Sequence, residues 1–187
     1  MRDVSLIAFA GKAPLIHPSA FIAPGCRIIG DVEIGEDSSI WYNCVIRGDV
    51  NAIRIGARTN VQDGSIIHCD GPKSAHPGRP TIIGDDVLIG HMAMLHGCTI
   101  HDRAFVGLGA IVMDGCTIES HGMLGAGALL TPGKVIAQRQ LWVGRPARLA
   151  RDLDDAAVDS MRAGATGYVN NAKAHAREIA LGNAVES

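Results

Sequence analysis

IHPSAFIAPGCRIIGDVEIGEDSSIWYNCVI, residues 16–46, places an aliphatic residue at every sixth position: Ile16, Ile22, Ile28, Ile34, Ile40 and Ile46. Four residues after each of the first five stands a small or slim one: Ala20, Cys26, Val32, Ser38 and Cys44. No amphipathic helix repeats strictly every six residues, and a lone strand repeats every two. A hexapeptide period marks a parallel β-helix, a prism of stacked short strands with three steps to each coil.

Working outward, the frame resumes three residues late at Ile55, Val61 and Ile67. A polar insertion, CDGPKSAHPGRP (69–80), interrupts it before Ile83, Ile89 and Leu95. It then slips by one and runs through Ile100, Val106, Val112, Ile118, Leu124 and Leu130. Counted in steps, Ile46, Ile67 and Leu95 share one face of the prism. The residues that follow them, Arg47, His68 and His96, are then expected to stack roughly 4.8 Å apart per coil.

That register sets up a metal problem. His91 lies two residues after Ile89 and so belongs to the neighbouring face. Five residues of extended chain between His91 and His96 span up to about 16 Å. One zinc, with nitrogen bonds of about 2.0–2.1 Å, does not easily collect all three histidines from a single chain. A second prism presenting its own His91 would complete the set. The spacing predicts an oligomer with metal between subunits, and a three-sided prism points to a trimer.

Composition bounds the rest. With 187 residues, one domain with a short appendage is expected. Hydrophobic residues make up 47% and aromatics only 4%, which suits a thin core of Ile, Val, Leu and Ala. A net charge of −2 gives no reason to expect a nucleic-acid partner. Five cysteines without disulfide spacing read as reduced thiols in a cytoplasmic protein. Neither a signal peptide nor a membrane span is expected. The prism is expected over 1–150 and a helical segment over 151–187. LWVGRPARLARDL (141–153) is expected to leave the prism, and Asp152 to cap a helix reaching about Ala180. Gly164 and Gly167 are expected to break that helix in two, its side Leu153, Val158, Met161, Tyr168 and Ile179 packing along the prism.

The stretches WYNCVIRGDV (41–50), RIGARTNVQDGSIIH (54–68) and IGHMAMLHGCTI (89–100) closely resemble the γ-class carbonic anhydrases. The resemblance extends over essentially the whole chain, GRPARLARDL (144–153) included. It implies a left-handed β-helix, a homotrimer, and zinc, or alternatively iron or cobalt, between subunits. It makes His68 and His96 ligands from one subunit and His91 a ligand from the next. Three neutral imidazoles leave a coordination position open, the arrangement of a catalytic site. Such an ion lowers its water's pKa to about 7, giving a hydroxide that attacks carbon dioxide to form bicarbonate. By the same resemblance Gln62 orients that solvent and Asn60 holds the Gln62 amide. Arg47 and Asp49 lie at the subunit interface, Asp63 belongs to the same cluster, and Tyr168 and Asn170 reach the pocket.

Two positions depart from the best-studied active members. Val50 replaces a glutamate, and HCDGPKS (68–74) lacks the loop glutamate that shuttles protons. Asp70 or dissolved buffer is expected to take the proton instead. Metal-dependent thioester hydrolysis and a structural role are alternatives that the departures keep open; a hexapeptide acyltransferase would leave the three histidines unexplained. Cys69 is expected to turn away from the metal, since side chains alternate along a strand. His17, His76, His101, His121 and His175 read as surface or hydrogen-bonded residues, and Trp41 and Tyr42 as interface packing.

Overall fold

A computed structural model describes residues 3–182. The chain forms a parallel β-solenoid of about eight turns with one C-terminal helix. Its strands stack into three faces. Face one holds Ser5–Ile7, the beginnings of Arg27–Ile34 and Val45–Ile55, then Ile66–His68, Met94–His96, Ile111–Val112 and Leu129–Leu130. Face two holds Leu15–Ile16, the ends of Arg27–Ile34 and Val45–Ile55, then Thr81–Ile83, Thr99–Ile100, Thr117–Ile118 and Val135–Ile136. Face three is an 8-stranded sheet running from Phe21–Ile22 to Gln140–Val143 and closed by the antiparallel Arg148–Asp152.

The six-residue ladder is the core. Ile46, Ile67 and Leu95 pair in register on face one, as the step count predicts, and all three are fully buried. Each Ile or Leu touches its equivalents one coil above and below, so one truncation opens a cavity between three coils. Leu95→Ala is expected to cost about 2–5 kcal/mol, read as a lowered midpoint in chemical denaturation. A midpoint within error of the unmutated protein would contradict this packing.

The three-residue delay in the frame has a local cause. Gly30 pairs with Gly48, but the next matched pair is Val32 with Ile53, so Asp49–Ala52 bulges out opposite Asp31. A Cβ on Gly30 would run into the Gly48 carbonyl, so two glycines let the coils approach where the bulge begins. The bulge carries Asp49 outward, beside the next coil. The insertion after His68 folds into a hairpin, with paired backbone at Asp70 and Arg79 and at Lys73 and His76. Gly71 sits over Val50, where a Cβ would lie 3.1 Å from the Val50 Cβ.

At the C-terminus the structure corrects three expectations. Gln140–Val143 remains on the prism, paired in parallel with Met123–Leu124, so departure comes only after Val143. Asp152 ends the returning strand, and Asp154 caps the helix by accepting the Ala157 N–H at 2.9 Å. Helix α1, Asp155–Ala180, is continuous. Gly164 packs against Leu88, and Gly167 meets open space. Each glycine costs about 1 kcal/mol against alanine, offset by burying Val158, Met161, Ala165 and Ala172. α1 lies along face three and runs back toward the first coils: Asp155 meets Arg139, Tyr168 meets Trp41, and Lys173 meets Asp37. Trp41 is buried beneath this helix, an intrachain contact in place of the interface packing expected of it. Among the described residues no helix is long and apolar enough to cross a membrane.

Candidate metal centre

Strand pairing sets His68 directly against His96 on face one. Their rings lie 5.1 Å apart between centroids, with His68 Nδ1 3.1 Å from His96 Nε2. The opposite nitrogen of each ring meets a carboxylate. His68 Nε2 is 2.9 Å from Asp49 Oδ1, and His96 Nδ1 is 2.5 Å from Asp114 Oδ1. A carboxylate only accepts, so the nitrogen facing it carries the ring proton, and in each neutral ring the other nitrogen keeps a lone pair. The two lone pairs therefore converge. Two nitrogens bound at about 2.0–2.1 Å to one tetrahedral ion lie about 3.3–3.4 Å apart, close to the 3.1 Å found here. This donor pair fits a divalent metal.

His91 stands at the corner between faces three and one, with its side chain 41% exposed. Its Nδ1 lies 2.8 Å from Asp63 Oδ2, which turns Nε2 outward. Asp63 is itself fixed, accepting the Tyr42 N–H at 3.2 Å. All three histidines thus carry the same device, an acid on one ring nitrogen that orients the other. Within one chain, however, no group of three His, Cys, Asp or Glu side chains is arranged to hold a metal among the described residues. The single chain presents a pair of donors at one place and a lone donor at another.

The remaining expected residues divide into those near the histidines and those elsewhere. Gln62 is buried, and its Nε2 donates to Asn60 Oδ1 at 2.9 Å, while Asn60 donates to the Val87 carbonyl at 3.3 Å. Arg47 donates to Asp49 Oδ2 at 2.5 Å, so the two pair within the chain. Burial raises the Asp49 carboxyl, but hydrogen bonds from His68 and Arg47 outweigh it and leave it below the usual carboxylate range. Tyr168 packs edge-on against Trp41, 5.5 Å between centroids, and burial raises its phenol above the ordinary value. Asn170 is exposed on α1, and its side chain forms no hydrogen bond among the described residues. Asp70 is held by Lys73 at 3.0 Å and Arg79 at 3.9 Å, and the Lys73 contact keeps it below its usual range. Cys69 points into the core, where burial raises its thiol. His175 is hydrogen-bonded to the Tyr42 hydroxyl at 3.0 Å.

Sequence reasoning missed Asp114. The signal was available: Val112 follows Leu95 by one coil, so an acid two residues after Val112 lies beneath the residues that follow Leu95.

Known proteins resemble this chain in sequence and fold. Residues 13–48 match the family model for bacterial transferase hexapeptide (six repeats). The chain is 47% identical over 96% of its length to gamma carbonic anhydrase 1, mitochondrial, of Arabidopsis thaliana, and spans 65% of that relative's length. It is 44% identical to the carbonic anhydrase of Geobacillus kaustophilus, matching 82% of this chain and 81% of that relative. Among solved structures, a hexapeptide transferase family protein from Anaplasma phagocytophilum superposes with a TM-score of 0.85. It is 42% identical, over 93% of this chain and 99% of that one. With the register, the paired histidines and these likenesses together, the chain belongs to the γ-class carbonic anhydrase family of hexapeptide-repeat proteins.

Proposed function

We propose that this chain reversibly hydrates carbon dioxide to bicarbonate at a metal shared between subunits of a homotrimer. The observation that carries the reading is the split donor set: His68 and His96 converge, while His91 points outward alone with its own orienting acid. An isolated, pre-oriented donor is accounted for by a second copy of the chain. Face one supplies a surface for that copy. Val45, Ile66, Met94, Ile111 and Leu129 stack in register along its outside, with Ile66 and Met94 exposed beside the histidines. Exposed apolar ladders of this kind mark protein contacts.

Zinc, iron or cobalt all suit an imidazole set, and such an ion, when bound, supplies hydroxide near neutral pH. The chain's residues do the positioning. Asp49 and Asp114 hold His68 and His96 in the tautomers whose lone pairs converge, and Asp63 holds His91 in the tautomer whose lone pair faces a second copy of the chain. Asn60 fixes the Gln62 amide nitrogen, leaving the Gln62 carbonyl oxygen to accept a hydrogen bond from the reacting water and aim its lone pair at the carbon of CO2. Arg47 secures Asp49 from the far side. The loop HCDGPKS (68–74) offers no glutamate for the released proton, and Asp70 is engaged by Lys73 and Arg79, so dissolved base removes it. The five cysteines are free and buried, which fits a reducing compartment such as the cytoplasm.

Stopped-flow hydration of CO2 by metal-reconstituted protein tests this. Chelator-sensitive turnover that rises with buffer concentration is expected. Stoichiometric metal with no hydration would overturn the reading and direct the next assay to thioester hydrolysis. Acetyl-CoA turnover indifferent to chelator would instead revive the acyltransferase reading.

A further inference from the structure

The corner between faces two and three carries one residue per coil in the left-handed backbone region. Asp37, Arg58, Asp86, Arg103, His121 and Arg139 have φ between 53° and 61°. The pairing of Leu88 with Phe105, Phe105 with Met123 and Met123 with Leu141 holds successive corners one above another. Along the first three of these positions the charges alternate and are matched. Asp37 meets Lys173 of α1 at 3.3 Å, and Arg58 meets Asp86 at 2.8 Å. Arg103 continues the alternation above Asp86, but Asp86 is already paired with Arg58, and beyond Arg103 the alternation stops. After Arg103 come His121 and Arg139, with no acid at a left-handed corner position between them.

Like charges facing one another on neighbouring strands destabilise a sheet. Here Arg162 of α1 adds a further positive charge close enough to act on His121. Burial, then the nearby Arg103, Arg139 and Arg162, hold the His121 imidazole below its usual range. The acids that α1 brings do not match this set. Asp155 pairs with Arg139 at 2.5 Å, and Asp159 reaches Arg162 only at 3.7 Å between two well-exposed side chains. Among the described residues Arg103 has no ion-pair partner and the His121 ring no hydrogen bond. A local rule broken without compensation is a sign of function.

We propose that this edge binds a phosphate-bearing ligand, gripped by Arg103 and His121 with Arg139 and Arg162 beside them. The chemistry selects phosphate. A guanidinium fork matches two oxygens of one phosphate, and a dianion answers the unpaired arginine and a protonated imidazole together. Arg103 to Arg139 spans two strand spacings, about 9–10 Å, room for one phosphate group and the first atoms of its substituent. In a three-sided prism this corner lies opposite face one, so a trimer assembled through face one leaves it open to solvent. The site is separate from the histidine centre and does not depend on the activity proposed for it.

Inorganic phosphate is the first probe, titrated into the full-length chain at constant ionic strength while the His121 ring is followed by NMR. A saturable shift is expected, with the His121 titration moved to higher pH as the anion binds. Arg103→Gln should weaken binding about tenfold, the worth of a charged hydrogen bond. Arg58→Gln, in the matched part of the same ladder, should leave it unchanged. A shift reproduced by chloride at equal ionic strength would overturn the proposal, as would undiminished binding by Arg103→Gln. Vesicles of phosphatidylcholine with or without phosphatidic acid separate the sources. Co-sedimentation that needs phosphatidic acid and Arg103 supports a lipid headgroup; phosphate binding without it supports a soluble phosphate ester.

Discussion

Replacing His91 by alanine is expected to empty the metal site and abolish CO2 hydration while leaving the prism folded. His91 is half-buried and outside the core, and among the described residues its ring is held by Asp63 alone, so its removal opens no cavity in the core. The His68–His96 pair survives but loses the third nitrogen from the neighbouring subunit. Losing even the partner of a metal ligand typically weakens binding by about 10–100-fold, and loss of the ligand itself should exceed about 100-fold. Because the ion would bridge two chains, sedimentation should also show a weaker trimer. Metal analysis of the purified variant decides the matter, and full metal content would sink the bridging role.

Asp114→Asn tests the orienting acids. Asp114 touches His96 Nδ1 at 2.5 Å and forces that nitrogen to carry the proton. An asparagine can present its NH2 group instead, which favours the opposite tautomer and turns the lone pair away from His68. Metal affinity should fall by about 10–100-fold, while thermal stability stays near that of the unmutated protein because the side chain is part-exposed. Retained affinity would show that strand register alone aims His96. Loss of affinity together with a large drop in melting temperature would assign Asp114 to the fold instead.

The ladder Ile16 to Ile46 was enough to place the faces, because a six-residue period leaves no competing secondary structure. Counting steps past both interruptions put Ile46, Ile67 and Leu95 in one column and His68 against His96, and the strand pairing agrees. What escaped reading was whatever the frame does not encode. The bulge at Asp49–Ala52 is visible in sequence only as a delay; that it swings Asp49 onto His68 requires coordinates. Asp114 carries no local signal, because its partner His96 is 18 positions earlier, one full coil away. The unbroken α1 defied its glycines because propensity is a weak prior against an apolar face that fits, and Gly164 is where helix and prism come close. Asn170 matched a motif but lies exposed on its own chain.

Stacked-repeat proteins are quasi-one-dimensional, with each coil sensing only its neighbours, so an end can fray while the middle persists. α1 changes that logic. It starts beside Arg139 near the last coil and finishes with Lys173 on Asp37 and His175 on Tyr42 near the first. Peeling the final coil therefore loosens the clasp on the opening ones. The helix turns a row of locally coupled units into a loop of coupled ends, giving the domain a cooperativity that its repeats could not generate.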